Sequence, residues 1–267
     1  GFINRSGRIS AVSGAGVGFE NTLVRSNVSN VGTIIGATGL SLLGTTISNA
    51  FTNTGTLGNS GMIQGLSGAG VSLSGVSLTN FTNTGIISGA TGLALSSSNR
   101  LTNVFVNNGA IRGSTGAGLS ITGSLLLPSG LTNVGQITGN SGIQIANTAF
   151  GQYITNTGLI FGSVSGGLSF LNSTVSSIVD NYGQIQGGSG AAVSVVNSTF
   201  TGQLNNLAFY PDPWWSGSFA VGTVSGGTGL LVQNSEFIGV SNTGLINGTN
   251  GAGLAIVNSR VTGAIAN

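Results

Sequence analysis

Cysteine, histidine and lysine are all missing from this chain of 267 residues, and charge of either sign is scarce. Without cysteine there is neither a disulfide nor a thiolate nucleophile, and without histidine there is no imidazole relay and no zinc-type ligand set. Positive charge comes only from Arg5, Arg8, Arg25, Arg100, Arg112 and Arg260, and negative charge only from Glu20, Asp180, Asp212 and Glu236. A net charge of +2 with no cluster of cations removes the case for a nucleic-acid partner. The four acids are scattered, so the carboxylate pair that glycoside hydrolysis uses is not evident. No G-K-[ST] follows any of the glycines, so they form no phosphate-binding loop. The chain therefore reads as a non-enzyme with no catalytic, metal or cofactor residues. No apolar run approaches the ~20 residues of a membrane span, so this segment is not expected to insert into a bilayer. Gly1 opens inside a repeat without the cationic start of a signal peptide, as expected of a segment cut from something longer.

Glycine is abundant, at 49 residues, and Ser, Thr and Asn fill most polar positions. Disorder has such a composition too, but here the apolar residues are plentiful and periodic. A seven-residue phrase, N-x-G-x-I-x-G, occupies positions 30–36, 83–89, 133–139, 156–162, 181–187 and 242–248, with looser copies at Asn4, Asn53, Asn107 and Ala220. Its first glycine recurs at steps of 25, 23, 30, 24, 26, 23, 25, 39 and 22 residues. A period in the twenties belongs to a solenoid, either leucine-rich or β-helical.

The pattern inside each period decides between them. The isoleucine of the phrase marks one short strand. After a glycine-rich corner comes a second with apolar and polar residues alternating, as in Gly92-Leu93-Ala94-Leu95 and Gly118-Leu119-Ser120-Ile121. A third is seen in Asn197-Ser198-Thr199-Phe200 and Asn234-Ser235-Glu236-Phe237. Such runs are too short for helices, and glycine interrupts them at roughly 1 kcal/mol per helical site. The expected fold is all-β: a right-handed parallel β-helix (β-solenoid) of about ten coils with three short strands each, forming one body over residues 1–267. Asn30, Asn53, Asn83, Asn107, Asn133, Asn156, Asn181 and Asn242 open successive phrases, so their amides are placed to form an asparagine ladder; satisfying only the local turn is the alternative.

Two places break the rhythm. A second copy of the phrase at 59–65 lengthens one corner, and a larger insertion at 206–219 carries both tryptophans and two prolines. Because prolines cannot donate to a ladder, the latter is expected to protrude as a loop, with Tyr210, Trp214 and Trp215 as candidate contacts for a surface glycan or protein. The alternative is that the loop folds back over the wall's own groove.

The closing residues Ile265-Ala266-Asn267 continue in pattern into Gly1-Phe2-Ile3-Asn4. That phase makes Phe2, Ile3, Arg5, Ile9, Val261, Ile265 and Asn267 candidates for a head-to-tail interface between copies or tandem units. The run of N-T-G-x-I-x-G followed by T-G-L-x-L or G-A-G-L-x-I resembles the passenger β-helices of bacterial autotransporters and the related filamentous haemagglutinin-like surface proteins. The resemblance covers essentially the whole chain and implies secretion to the bacterial cell surface or beyond, with roles in adhesion, biofilm or surface coating. The expected function is a structural unit of an extracellular fibre whose partner is itself, end to end. A cell-surface adhesin gripping its target through the Trp-rich loop is the rival expectation.

Overall fold

A computed structural model describes residues 1–56, 59–123, 125–126, 130–209 and 220–267, with the side chains of 56, 59–60, 125–126, 209 and 220 excepted. It is all-β among the described residues, with parallel strands stacked into a solenoid of about ten turns. Each strand pairs with its equivalent one coil later, in a register that places like on like. Ile63 lies between Ile34 and Ile87, and Leu73 lies between Leu42 and Leu95.

The strands stack in four rows around each coil, not the three expected from the sequence, and in two coils the second and third rows run together as Gln136–Ala146 and Leu159–Leu171. The extra strand leads into the phrase's asparagine, as in Phe105–Asn107, Leu131–Asn133 and Ile154–Asn156. In some coils it is fused to the strand before it, as in Thr46–Asn53 and Ser77–Asn83. Its three-residue length hides it in the sequence, where it merges with the phrase that follows. We call the four stacks the ladder row, the isoleucine row (Thr33–Gly36 and its equivalents), the leucine row (Thr38–Leu43) and the corner row (Leu23–Val24).

The interior is a set of columns of like residues. Alternation within each strand sends one apolar residue inward per coil, and the parallel register stacks it on its copy. Ile34, Ile63, Ile87, Ile111, Ile137, Ile160 and Ile185 form one fully buried column. In the ladder row Phe51, Phe81 and Phe105 stack nearly face to face, with centroids 4.7 and 4.6 Å apart. That spacing is close to the ~4.8 Å strand separation, so the sheet register itself sets the ring stack.

The turn from the leucine row to the corner row is built differently from the other turns. Asn147, Asn172, Asn197, Asn234 and Asn258 adopt φ between 47° and 53° there, the left-handed region that asparagine tolerates. The residue after each is Ser or Thr, and its hydroxyl forms a second, smaller ladder. Ser198 Oγ accepts from Ser173 N at 3.0 Å and donates to Val196 O at 2.8 Å; Ser235 and Ser259 repeat the arrangement. The Asn-Ser pairs expected to open the third strand form this turn instead, and the strand proper begins two residues after the asparagine, as at Thr199–Phe200.

Candidate functional site

The asparagines of the phrase stand inside the wall. Each Nδ2 donates to the Oδ1 of the asparagine one coil further on, at 2.8 Å for Asn4 to Asn30, Asn53 to Asn83, Asn133 to Asn156 and Asn181 to Asn206. From Asn4 through Asn181 each Nδ2 also reaches a carbonyl of its own turn, as Asn83 reaches Gly85 O at 3.2 Å. All eight asparagines expected in the ladder are in it, joined by Asn4, Asn206 and Asn267. The ladder is directional, its donors facing the C-terminal coil.

Asn206 escapes the sequence reading because the phrase after it is interrupted. A copy of the phrase is expected at Ala220, yet Ala220–Val221 pairs antiparallel with Ala208–Phe209 to form the base of a hairpin. Asn206 itself remains in the wall with no solvent exposure, so the insertion begins after it and not at it. The lengthened corner near Gly55 follows the same plan: Gly55–Thr56 pairs antiparallel with Asn59–Ser60, and Met62–Gly65 then takes the isoleucine row. Both insertions therefore leave the solenoid at the same turn, between the ladder and isoleucine rows.

Between these two hairpins that turn forms a trough parallel to the solenoid axis. Its floor is the glycine row Gly85, Gly109, Gly135, Gly158 and Gly183. A Cβ on Gly109 would sit well inside contact distance of the Gly85 carbonyl oxygen, which lies one coil back. The close stacking of the coils thus keeps the floor free of side chains. Two adjoining hollows of about 550 and 520 Å³ share Gly158 and Leu159, so the trough is continuous from Thr84 to Tyr182. Val221, in the second hairpin, lines one end, and the backbone N of Gly55, in the first, donates to Thr84 Oγ1 at 3.0 Å at the other.

Trough walls are hydroxyl, amide and aliphatic. Thr84, Asn108, Gln136, Thr157 and Gln184 provide polar groups; Ile86, Val134, Leu159 and the Tyr182 ring provide apolar surface. Arg112 is the one charged residue along it among the described residues. The floor's main chain is already engaged along the axis: Gly85, Gly109, Gly135 and Gly158 accept from Ala110, Gln136, Leu159 and Gln184 N at 2.8 to 2.9 Å.

Tyr210, Trp214 and Trp215 lie outside the described residues. The described acids are not brought together. Asp180 sits in the ladder row between Thr155 and Asn205, accepting from Asn205 Nδ2 at 2.7 Å, whereas Glu236 sits in the corner row between Thr199 and Arg260. Among the described residues no group of three or more His, Cys, Asp or Glu side chains is placed to hold a metal ion.

The residues expected at a head-to-tail interface occupy the two end coils. Phe2 is half-buried edge-on to Phe19 with centroids 5.9 Å apart, Ile3 is exposed, and Arg5 and Ile9 flank them. At the other end Val261 pairs with Phe237, Ile265 pairs with Val240, and Asn267 Oδ1 accepts from Asn242 Nδ2 at 2.6 Å. Comparison with protein-family models, curated proteins and solved structures finds no match, so the site rests on the chain's own geometry.

Proposed function

We propose that this chain is a length of shaft in an extracellular fibre, extended by continuing the β-helix from one unit into the next. The observation that carries the reading is the state of the apolar columns at the two ends. Interior members such as Ile111, Leu119 and Ile121 are buried on all sides, but their last equivalents Ile246 and Leu254 are only part-buried, and Ile256 is 37 % exposed. Phe2, Val17 and Phe19 are likewise part-covered at the first coil. Each column ends on apolar surface and on a strand edge, and such an edge is a template for another strand. A further coil of the same kind covers both, whether it belongs to the same polypeptide or to a second copy.

The mechanical case agrees. Backbone ladders, the asparagine ladder and the phenylalanine stack all run along the axis, so tension is borne by many parallel hydrogen bonds. Having six arginines and no lysine, the rod offers few trypsin sites, which suits life outside a cell. The resemblance to autotransporter passenger and haemagglutinin-like repeats supports a bacterial surface location.

Electron microscopy of the purified protein tests the reading. Filaments one solenoid wide are expected, with an axial repeat of about 48 Å from ten coils at ~4.8 Å each. Separate rods about 50 Å long that stay separate as concentration rises would overturn it.

A further inference from the structure

The geometry points to the trough between the two hairpins as a binding site for a neutral linear oligosaccharide, held along the solenoid axis. Ten coils share the same turn, yet both insertions in the phrase leave from it, one on each side of the five coils that line the trough. Insertions that gather on one face of a solenoid mark its binding face. The hairpin bases flank the trough at its two ends, which sets a length of roughly 24 Å for five coils at ~4.8 Å. That length suits an oligosaccharide of several units and not a single sugar.

The class of ligand follows from what the walls offer and withhold. Hydroxyl and amide groups on Thr84, Asn108, Gln136, Thr157 and Gln184 recur along the trough and match a ligand with polar groups at regular intervals. Tyr182 and Leu159 supply apolar surface for the ring faces of sugars. With no carboxylate and only Arg112 as a cation among the described lining residues, neither a cationic nor a polyanionic chain is matched. An extended peptide needs free main-chain partners to add as a strand, but the floor carbonyls already accept from the next coil. The site is independent of the fibre reading, since a rod that never polymerises keeps its trough.

The test is titration calorimetry of the whole chain with three neutral probes, maltopentaose, cellopentaose and chitopentaose, beside pentagalacturonate and an Ala-Ser decapeptide. At least one neutral pentamer is expected to bind with a Kd below about 1 mM, and its disaccharide at least tenfold more weakly. Tyr182→Ala, and separately the pair Gln136→Ala and Gln184→Ala, should each weaken binding about tenfold at an unchanged melting temperature. Thr157→Trp, which fills the trough, provides a second route to the same loss should either of those variants misfold. Thr174→Ala, an exposed change in the corner row outside the trough, should leave binding unchanged. The proposal is overturned if no neutral pentamer binds, if the polyanion or the peptide binds better, or if binding survives the trough variants.

Discussion

Asn83 and Asn107, 24 residues apart in sequence, are joined by a 2.8 Å hydrogen bond from Nδ2 to Oδ1, with neither side chain exposed. Asn107 in turn donates to Asn133, again at 2.8 Å, so it is at once acceptor and donor inside the wall. Asn107→Leu would leave Asn83 Nδ2 without its ladder acceptor and Asn133 Oδ1 without its donor, in a place water does not reach. Each orphaned group costs about 1–3 kcal/mol, so a loss of roughly 2–5 kcal/mol is expected in urea unfolding. Thr132→Leu, one coil on in the same row but part-exposed, serves as the comparison and should cost less than half as much.

The glycine row makes a sharper prediction about where side chains are tolerated. Gly109→Ala drives a methyl group into the Gly85 carbonyl of the coil below, so the two coils must part and the stack loses about 2 kcal/mol or more. Gly18→Ala meets nothing closer than 3.8 Å at a backbone angle any residue can adopt. That change should be neutral or stabilise by up to about 1 kcal/mol, because it restricts the unfolded chain. Thermal melts of the two variants side by side decide the matter; equal effects would mean that coil contact does not select the glycine.

Ser177 is the one buried side chain among the described residues whose polar atom has no hydrogen-bond partner. Its hydroxyl is desolvated on folding and gains nothing in return. Ser177→Ala should therefore raise the unfolding free energy by about 1 kcal/mol, contrary to the usual sign for a core substitution. Chemical denaturation with an unchanged m-value is the measurement.

No side chain in the chain has an ordinary pKa between about 5 and 9, since histidine and cysteine are absent. Stability changes with pH only where the folded and unfolded states bind different numbers of protons. The melting temperature should accordingly stay flat, to within about 2 °C, from about pH 5 to pH 9. A change several times larger across that range would show that a coupled group has been overlooked.

Much of this architecture was legible in the residues, for a physical reason. A parallel in-register stack makes each position face its own copy one coil later, so inward isoleucine, corner glycine and ladder asparagine must all recur at the coil length. Ile34, Gly32 and Asn30 could thus be assigned from spacing alone. Asn206 could not, because an insertion separates it from the rest of its phrase, and periodicity is read from neighbours. The trough was hidden for a related reason. Its walls are outward residues under no packing constraint, so Gln136, Leu159 and Tyr182 vary from coil to coil and leave no period to detect. The fourth strand was missed because three residues are too few for alternation to show.

The fibre reading makes its most specific demand at the end coils. Phe2–Asn4 and residues 265–267 are both rungs of the ladder row, which therefore has eleven rungs, whereas the isoleucine and leucine rows have ten. A copy that continues every row must lay its own Phe2–Asn4 on Val240–Asn242, the place that Ile265 and its neighbours already hold. Growth then requires exchange of one short rung for another of equal length and the same ladder asparagine. Removing residues 265–267 takes away the competitor and exposes Asn242 Nδ2 to the incoming Asn4 Oδ1. The trimmed chain should elongate faster than the parent in light-scattering and microscopy time courses, with an unchanged axial repeat. Phe2→Asp in the trimmed background should stop elongation, because it puts a charge where the apolar column of Val240 and Leu204 continues. Slower growth on trimming, with Phe2→Asp having no effect, would mean that units do not join through this row.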